Sequence, residues 1–382
     1  GAGEDEHRGD LSSHRVVKRQ TSVRGAVAVD IGEILREMIQ RDASDLHLAV
    51  GVPPVIRVDG HLENLDYPVL MANDARELVY SILTQDQRQK LETEWEVDLS
   101  YSLFGMARFR VNVYFQRGTL SAAFRLVPVG IKTIEELGLP KVLHSFCHKP
   151  RGFILVTGPT GSGKSTTLAS IIDEINQTRA DHIVTIEDPI EFLHSHKRCV
   201  VNQREVGTDT KAFPAALRSA LRQDPDVILI GEMRDLETIQ IALTAAETGH
   251  LVFATLHTQD CPQTIDRMID VFPPHQQEQI RVQIAATLEG IVTQQLLPRV
   301  GGKGRACACE VLIATPAARN LVREGKTHQL YTVMQTGGLH GMQTMNSSLA
   351  ELVRRGHITK ELALRRSSVP DELERLLLAG AA

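Results

Sequence analysis

The chain has 382 residues, 42% of them hydrophobic and 23% charged, with a formal net charge of −5. That length supports two or three domains and at least one large core, and the slightly acidic balance argues against a protein that coats nucleic acid. No apolar run approaches the roughly 18 residues that a membrane-spanning helix needs, and no secretory leader pattern is read at the N-terminus.

Residues 1–27 are polar, charged and aperiodic, which predicts a flexible tail. Ile31, Ile34, Leu35, Met38 and Ile39 then recur at helical spacing. A strand is expected over 45–50, closed by Gly51-Val52-Pro53-Pro54, and a second over 55–58 with Asp59-Gly60 as its hairpin turn. A helix at about 73–91 and three strand-like runs near 97–103, 107–116 and 119–127 complete an α+β unit over 28–127, built on a mainly antiparallel sheet. Residues 128–150 read as a linker, with Pro128-Val129-Gly130 as the hinge and a short helix over 133–145. From Gly152 the pattern changes. Apolar strands at 153–157, 183–186, 227–230 and 251–255 alternate with helices, which predicts an α/β unit over 151–315 with a parallel sheet covered on both faces. Helices are expected from about 274 onward apart from a strand near 306–313, and 316–382 reads as a helical C-terminal region.

The five cysteines form no C-x-x-C pair and no disulfide framework; reduced thiols fit a cytoplasmic protein. Cys307 and Cys309 stand two apart on a predicted strand, share a face and read as packed core thiols.

One segment carries specific chemistry. Gly158-Pro159-Thr160-Gly161-Ser162-Gly163-Lys164-Ser165 matches G-x-x-x-x-G-K-[ST], with a buried-strand pattern before it and a helix pattern from Ser165 after it. Glycines let backbone wrap a phosphate without Cβ clashes, and the helix N-terminus that follows offers free N–H groups. The segment, with Thr166 beside it, is therefore expected to bind ATP, Lys164 reaching the β- and γ-phosphates and Ser165 holding Mg²⁺. Acidic groups for the metal and the attacking water are expected where other strands end: Glu187, Asp188 and Glu191 after 183–186, and Glu232 after 227–230. Gly231 stands where an Asp commonly closes such a strand, which leaves Glu232 as the main acid there. His257 follows strand 251–255 and His250 precedes it; both are candidates to contact nucleotide.

Together these residues resemble the secretion and pilus ATPases of the type II and type IV superfamily. Four motifs match in order: the phosphate loop at 158–165, the acidic box at 187–191, the strand ending Gly231-Glu232, and the run from Glu247-Thr248-Gly249-His250 through His257. Within that superfamily Ser44-Asp45-Leu46-His47-Leu48 and Arg319 to Lys326 resemble the pilus-retraction, or twitching-motility, branch. The resemblance covers about 28–378. It implies a PAS-like first domain, a RecA-like second domain, six subunits in a ring, and cytoplasmic work at the inner membrane through a pilus platform protein. It also implies that Arg110 and Arg125 of the first domain reach the γ-phosphate. Assembly or secretion ATPases of the superfamily typically carry a four-cysteine zinc insert, which this chain lacks. An accessory retraction ATPase and a nucleic-acid-translocating ATPase stay as alternatives, although no basic, aromatic-interleaved stripe suggests stable nucleic-acid binding.

Overall fold

The computed structural model describes residues 30–128 and 130–379. The tail expected over 1–27, and the hinge residue Val129, lie outside the described residues.

The first half is a six-stranded antiparallel sheet with helices packed on it. Helix α1 (Ile31–Gln40) precedes β1 (Asp45–Leu48), β2 (Val55–Val58) and β3 (His61–Asn64). Asp59 (φ 48°) and Gly60 (φ 86°) both take the left-handed conformation that a two-residue hairpin requires. The single helix expected over 73–91 is instead two, α2 (Ala72–Ile82) and α3 (Gln85–Glu94). The break has a local cause: Thr84 Oγ1 accepts from Gln87 N while the Gln87 side chain accepts from Thr84 N, a reciprocal cap that starts a new helix. Strands β4 (Glu96–Leu103), β5 (Ala107–Gln116) and β6 (Thr119–Leu126) complete the sheet, in the order β3-β2-β1-β6-β5-β4. Its core is Ile34, Leu35 and Met38 from α1, Val79 from α2, and Leu46, Phe109, Val113 and Phe124 from the strands.

Residues 134–138 form turns, and helix α4 covers only Leu143–Cys147 of the helix expected over 133–145. Gly138 (φ 66°) and Pro140 interrupt the helical pattern there.

The second half is a seven-stranded sheet ordered β13-β12-β7-β11-β10-β8-β9, built from β7 (Gly152–Thr157), β8 (His182–Glu187), β9 (Val200–Glu205), β10 (Val227–Ile230), β11 (Leu251–Leu256), β12 (Leu288–Pro298) and β13 (Arg305–Ile313). All neighbours are parallel except β12 and β13. Alternate residues of each central strand enter separate cores. Ile154 and Val156 pack with α4 and α5 (Lys164–Thr178), whereas Phe153 and Leu155 pack with α6 (Phe213–Ala220), α7 (Leu236–Glu247), α8 (Cys261–Asp270) and α9 (Pro274–Thr287). Strand β12 falls where helix was expected. Its Gly290-Ile291-Val292-Thr293 run is β-branched, and it lies parallel to β7 after a register shift between Leu288 and Gly290. Helices α10 (Pro316–Arg323), α11 (Leu330–Thr336), α12 (Met345–Arg354), α13 (Lys360–Arg366) and α14 (Pro370–Ala379) follow. Among the described residues no helix is long and apolar enough to cross a membrane.

Glu205, at the end of β9, ties the two halves together. It is buried, it accepts hydrogen bonds from Ser100 Oγ and from Ile190 N (3.0 Å), and it pairs with Arg108 Nη2 (2.9 Å). Burial opposes its ionisation, but the bonds from Ser100, Ile190 and Arg108 outweigh burial and hold the carboxyl below the usual range.

A Cβ at Gly290 would lie 2.4 Å from Phe146 Cζ and 3.1 Å from Leu312 O. Gly290→Ala is expected to cost about 1–3 kcal/mol of stability by overpacking, read as a lower midpoint in denaturant unfolding at unchanged slope.

Candidate nucleotide site

Strand β7 is buried along its whole length and ends at the phosphate loop, so the loop starts from a fixed point. Three loop glycines have positive φ: Gly158 (139°), Gly161 (78°) and Gly163 (89°). At Gly158 a Cβ would meet Gln294 O at 2.4 Å, and at Gly163 it would meet Gln294 Nε2 at 3.1 Å. Gln294, on β12, braces the loop from below. Its Nε2 donates to Ser162 O (2.8 Å) and its Oε1 accepts from Thr167 Oγ1 of α5 (2.9 Å). Beside it, Thr157 and Thr293 hydroxyls share a 2.7 Å bond between β7 and β12.

Above the loop lies a cleft of about 370 Å³. It brings together Thr160, Gly161, Gly163, Lys164, Ser165, Thr166, Glu187, Asp188, Glu191, Glu232 and His257, from loops after β7, β8, β10 and β11. Gly158, Pro159 and Ser162 shape the loop from behind rather than line the cleft. Lys164 Nζ donates to Gly158 O (2.9 Å) and Pro159 O (3.1 Å) and sits 3.4 Å from His257 Nδ1. His257 Nε2 lies 2.7 Å from Glu232 Oε1, and Arg234 Nη2 donates to Glu232 Oε2 at 2.7 Å. One tautomer satisfies this chain, with His257 Nδ1 accepting from Lys164 and Nε2–H donating to Glu232.

The charges are set by these neighbours. The Arg234 hydrogen bond, reinforced by His257 against the opposing effect of burial, holds Glu232 below the usual carboxylate range, so it is ionised. Burial lowers the pKa of Lys164, with Glu232 and Glu191 opposing that shift. Burial pushes Glu187 up to about 7, against hydrogen bonds from Thr185 (2.7 Å) and Gln203 (3.1 Å) that favour its ionised form. Gly231 also has a physical reason to lack a side chain. A Cβ there would lie 3.2 Å from both Glu187 Cα and Ile186 O, backbone atoms of β8 that cannot easily yield.

Three expected contacts are absent from the cleft. His250 precedes β11, at the opposite end of that strand from the phosphate loop, and its Nδ1 bonds Ala245 O (2.9 Å). It does not line the cleft, because the strand that carries His257 into the cleft carries His250 away from it. Arg110 and Arg125 face each other across β5 and β6 and line a neighbouring groove that shares only Asp188 and Pro189 with the cleft. Arg110 Nη2 is 3.0 Å from Glu191 Oε1, an ion pair without hydrogen-bond alignment, and Arg125 Nε donates to Asp45 (2.9 Å). Conversely, Phe213, Leu296 and Arg305 line the cleft without having been singled out in the sequence. Leu296 and Arg305 belong to the antiparallel pair of β12 and β13, and Gln294 went unnoticed because β12 was read as helix.

The residues fit a magnesium nucleotide: the cradle leaves no room for a Cβ at Gly158, and Lys164 and Ser165 open α5 against it. Among the described residues no three His, Cys, Asp or Glu side chains form a ready-made metal cluster. Magnesium sites that borrow most ligands from phosphate and water need none.

Comparison with known proteins agrees with this chemistry. The family model described as "Type II/IV secretion system protein" matches residues 20–365. The chain is 50% identical over 343 residues to the type IV pilus retraction ATPase PilT of Pseudomonas aeruginosa, covering 90% of this chain and 99% of that one. It is 39% identical to the type IV pilus ATPase PilU of the same organism over 92% of each chain. A crystal structure of the pilus retraction motor PilT with bound ADP superposes with a TM-score of 0.83 at 53% identity, over 91% of this chain and 99% of that one. The chain belongs to the type II/IV secretion system protein family.

Glu187 supplies a pH test. Its folded carboxyl titrates near 7 against an ordinary value of 4.5, so between those values the folded protein holds a proton that the unfolded chain releases. Stability from this group is therefore fully present at the acid end and falls as pH rises through that window. In nucleotide-free protein, Glu187→Gln is expected to remove this slope, so its stability relative to wild type should rise across the window, measured by urea unfolding.

Proposed function

We propose that the chain is an ATP-hydrolysing motor that drives type IV pilus retraction, the basis of twitching motility. The observation that carries the reading is an ionised Glu232 facing a phosphate loop whose Lys164 is already in reach, in a chain 50% identical to nearly the whole of a PilT. The higher identity to PilT than to PilU favours the main over the accessory retraction ATPase.

In this reading 28–127 is a PAS-like domain, 128–150 the linker, 151–315 a RecA-like ATPase domain and 316–382 a helical C-terminal region. Six copies form a ring in the cytoplasm, docked through partners on the inner-membrane pilus platform, with no stable nucleic-acid partner. ATP enters with its phosphates over 158–166. Lys164 exchanges the carbonyls of Gly158 and Pro159 for β- and γ-phosphate oxygens. Ser165, with Glu187, Asp188, Glu191 and Glu232 around it, would hold Mg²⁺, which would supply neutralisation of phosphate charge. Glu232 orients the attacking water and takes up its proton. His257, 2.7 Å from Glu232, senses the γ-phosphate beside it. Closing the groove between the two halves swings Arg110 and Arg125 toward the phosphates, where guanidinium forks stabilise transferring charge. Release of phosphate then relaxes the closure, a switch driven by phosphate contacts.

Glu232→Gln is expected to keep ATP binding but lower turnover by about 10²–10⁴-fold, the range for losing a positioned acid–base group. The assay pairs ATP turnover with size-exclusion mass measurement. Wild-type turnover persisting in the variant would remove Glu232 from the mechanism, and nucleic-acid stimulation of turnover would favour a translocase.

A further inference from the structure

Cys307 and Cys309 stand on the same face of β13, an edge strand of the second sheet, with their Sγ atoms 3.6 Å apart. Cys307 is half-buried and Cys309 fully buried. The two residues pair with β12 residues of the nucleotide site. In the β12–β13 register Cys307 opposes Leu296 and Cys309 opposes Gln294. Leu296 lines the cleft, and Gln294 holds the phosphate loop at Ser162 O and α5 at Thr167. The backbone of Cys309 is fixed from the other side, its N–H donating to Ser348 Oγ (3.0 Å) and its carbonyl accepting from Gln343 Nε2 (2.7 Å).

We propose that Cys307 and Cys309 form a redox-sensitive dithiol that weakens nucleotide binding when a peroxide oxidises it to a disulfide. The inference rests on the nucleotide-site reading above. The half-buried Cys307 meets the oxidant first. Its sulfur attacks one peroxide oxygen, the O–O bond breaks, and Cys307 sulfenic acid and water result. The Cys309 sulfur then attacks the sulfenyl sulfur, the S–O bond breaks and a second water leaves. Two thiols and one hydrogen peroxide thus give one disulfide and two waters. Cys309 is placed for the resolving role, because its Sγ lies 3.6 Å from that of Cys307 and no other described cysteine sulfur is bonded to either.

The geometry couples this bond to the cleft. Residues two apart on an extended strand have Cα atoms about 6.6–6.8 Å apart, the upper limit of the disulfide window. Closing the bond therefore bends β13 at Ala308 and disturbs the pairing that positions Gln294 and Leu296. A bond formed under such strain is readily reduced, which suits a reversible switch.

The test treats full-length protein with hydrogen peroxide, maps the disulfide by peptide mass, and measures affinity for a fluorescent ADP analogue before treatment, after it, and after dithiothreitol. The expected result is a Cys307–Cys309 crosslink with affinity lowered at least about tenfold, the equivalent of 1.4 kcal/mol, and restored by reductant. Cys307→Ser and Cys309→Ala should each bind as the reduced wild type does and keep that affinity after peroxide, because neither can form the disulfide. No crosslink, a crosslink without a change in affinity, or the same loss of affinity in both variants would overturn the proposal. Failure of the reduced wild type to bind the analogue would instead refute the nucleotide site on which the proposal rests.

Discussion

Gly158 lies so close to the backbone of β12 that it has no space for a side chain, Gly163 takes a left-handed φ of 89° against the same strand, and the site is organised around that contact. Strand β7 delivers the loop from a wholly buried position, and β12 runs parallel beside it. Gln294 then fastens the loop carbonyl of Ser162 to the first turn of α5. Being 1% exposed, it has no water to substitute for those bonds. The consequence is a phosphate cradle already in shape before nucleotide arrives, so little ordering is left for binding to supply.

The second feature is a continuous line of polar contacts across the cleft, from the loop carbonyls through Lys164 and His257 to Glu232 and Arg234. Lys164 is held by carbonyl oxygens, which phosphate oxygens can replace. Glu232 keeps its negative charge because Arg234 and His257 donate to it, as a group that positions water requires. Glu187 is different. Its carboxyl is desolvated and bonded by Thr185 and Gln203, so it gains its charge only near neutrality or beside a cation. Glu205 joins this region to the antiparallel sheet through Ser100 and Arg108, and through Ile190 N it links the loop after β8 to the first half of the chain.

Much of this was legible in the sequence because it is local. A strand, a glycine-rich turn and a helix lie next to one another in the chain, and the acids after 183–186 and 227–230 follow from the rule that ligands gather at strand ends. What was not legible depends on long-range pairing. Strand β12 owes its place to partners more than a hundred residues away on β7, and it follows α9 without a break, so the helical reading from 274 onward ran through it and hid Gln294. The break at Thr84 was written in a capping box that the apolar periodicity masked. His250 was a candidate because it flanks β11 as His257 does, but a strand carries its two ends to opposite edges of the sheet. Arg110 and Arg125 depend on how the two halves meet, which no local pattern encodes; here they line the groove between them, one paired to Glu191 and the other to Asp45.

The account turns on Lys164 trading loop carbonyls for phosphate oxygens while His257 and Glu232 open toward the γ-phosphate. The most direct measurement is a crystal structure of the protein with magnesium and a non-hydrolysable ATP analogue. The account predicts Lys164 Nζ on the β- and γ-phosphates, off Gly158 O and Pro159 O, with Gln294 still bonded to Ser162 and Glu232 facing the γ-phosphate. Lys164 remaining on the two carbonyls with nucleotide bound elsewhere, or a phosphate loop that rebuilds and releases Gln294, would contradict it.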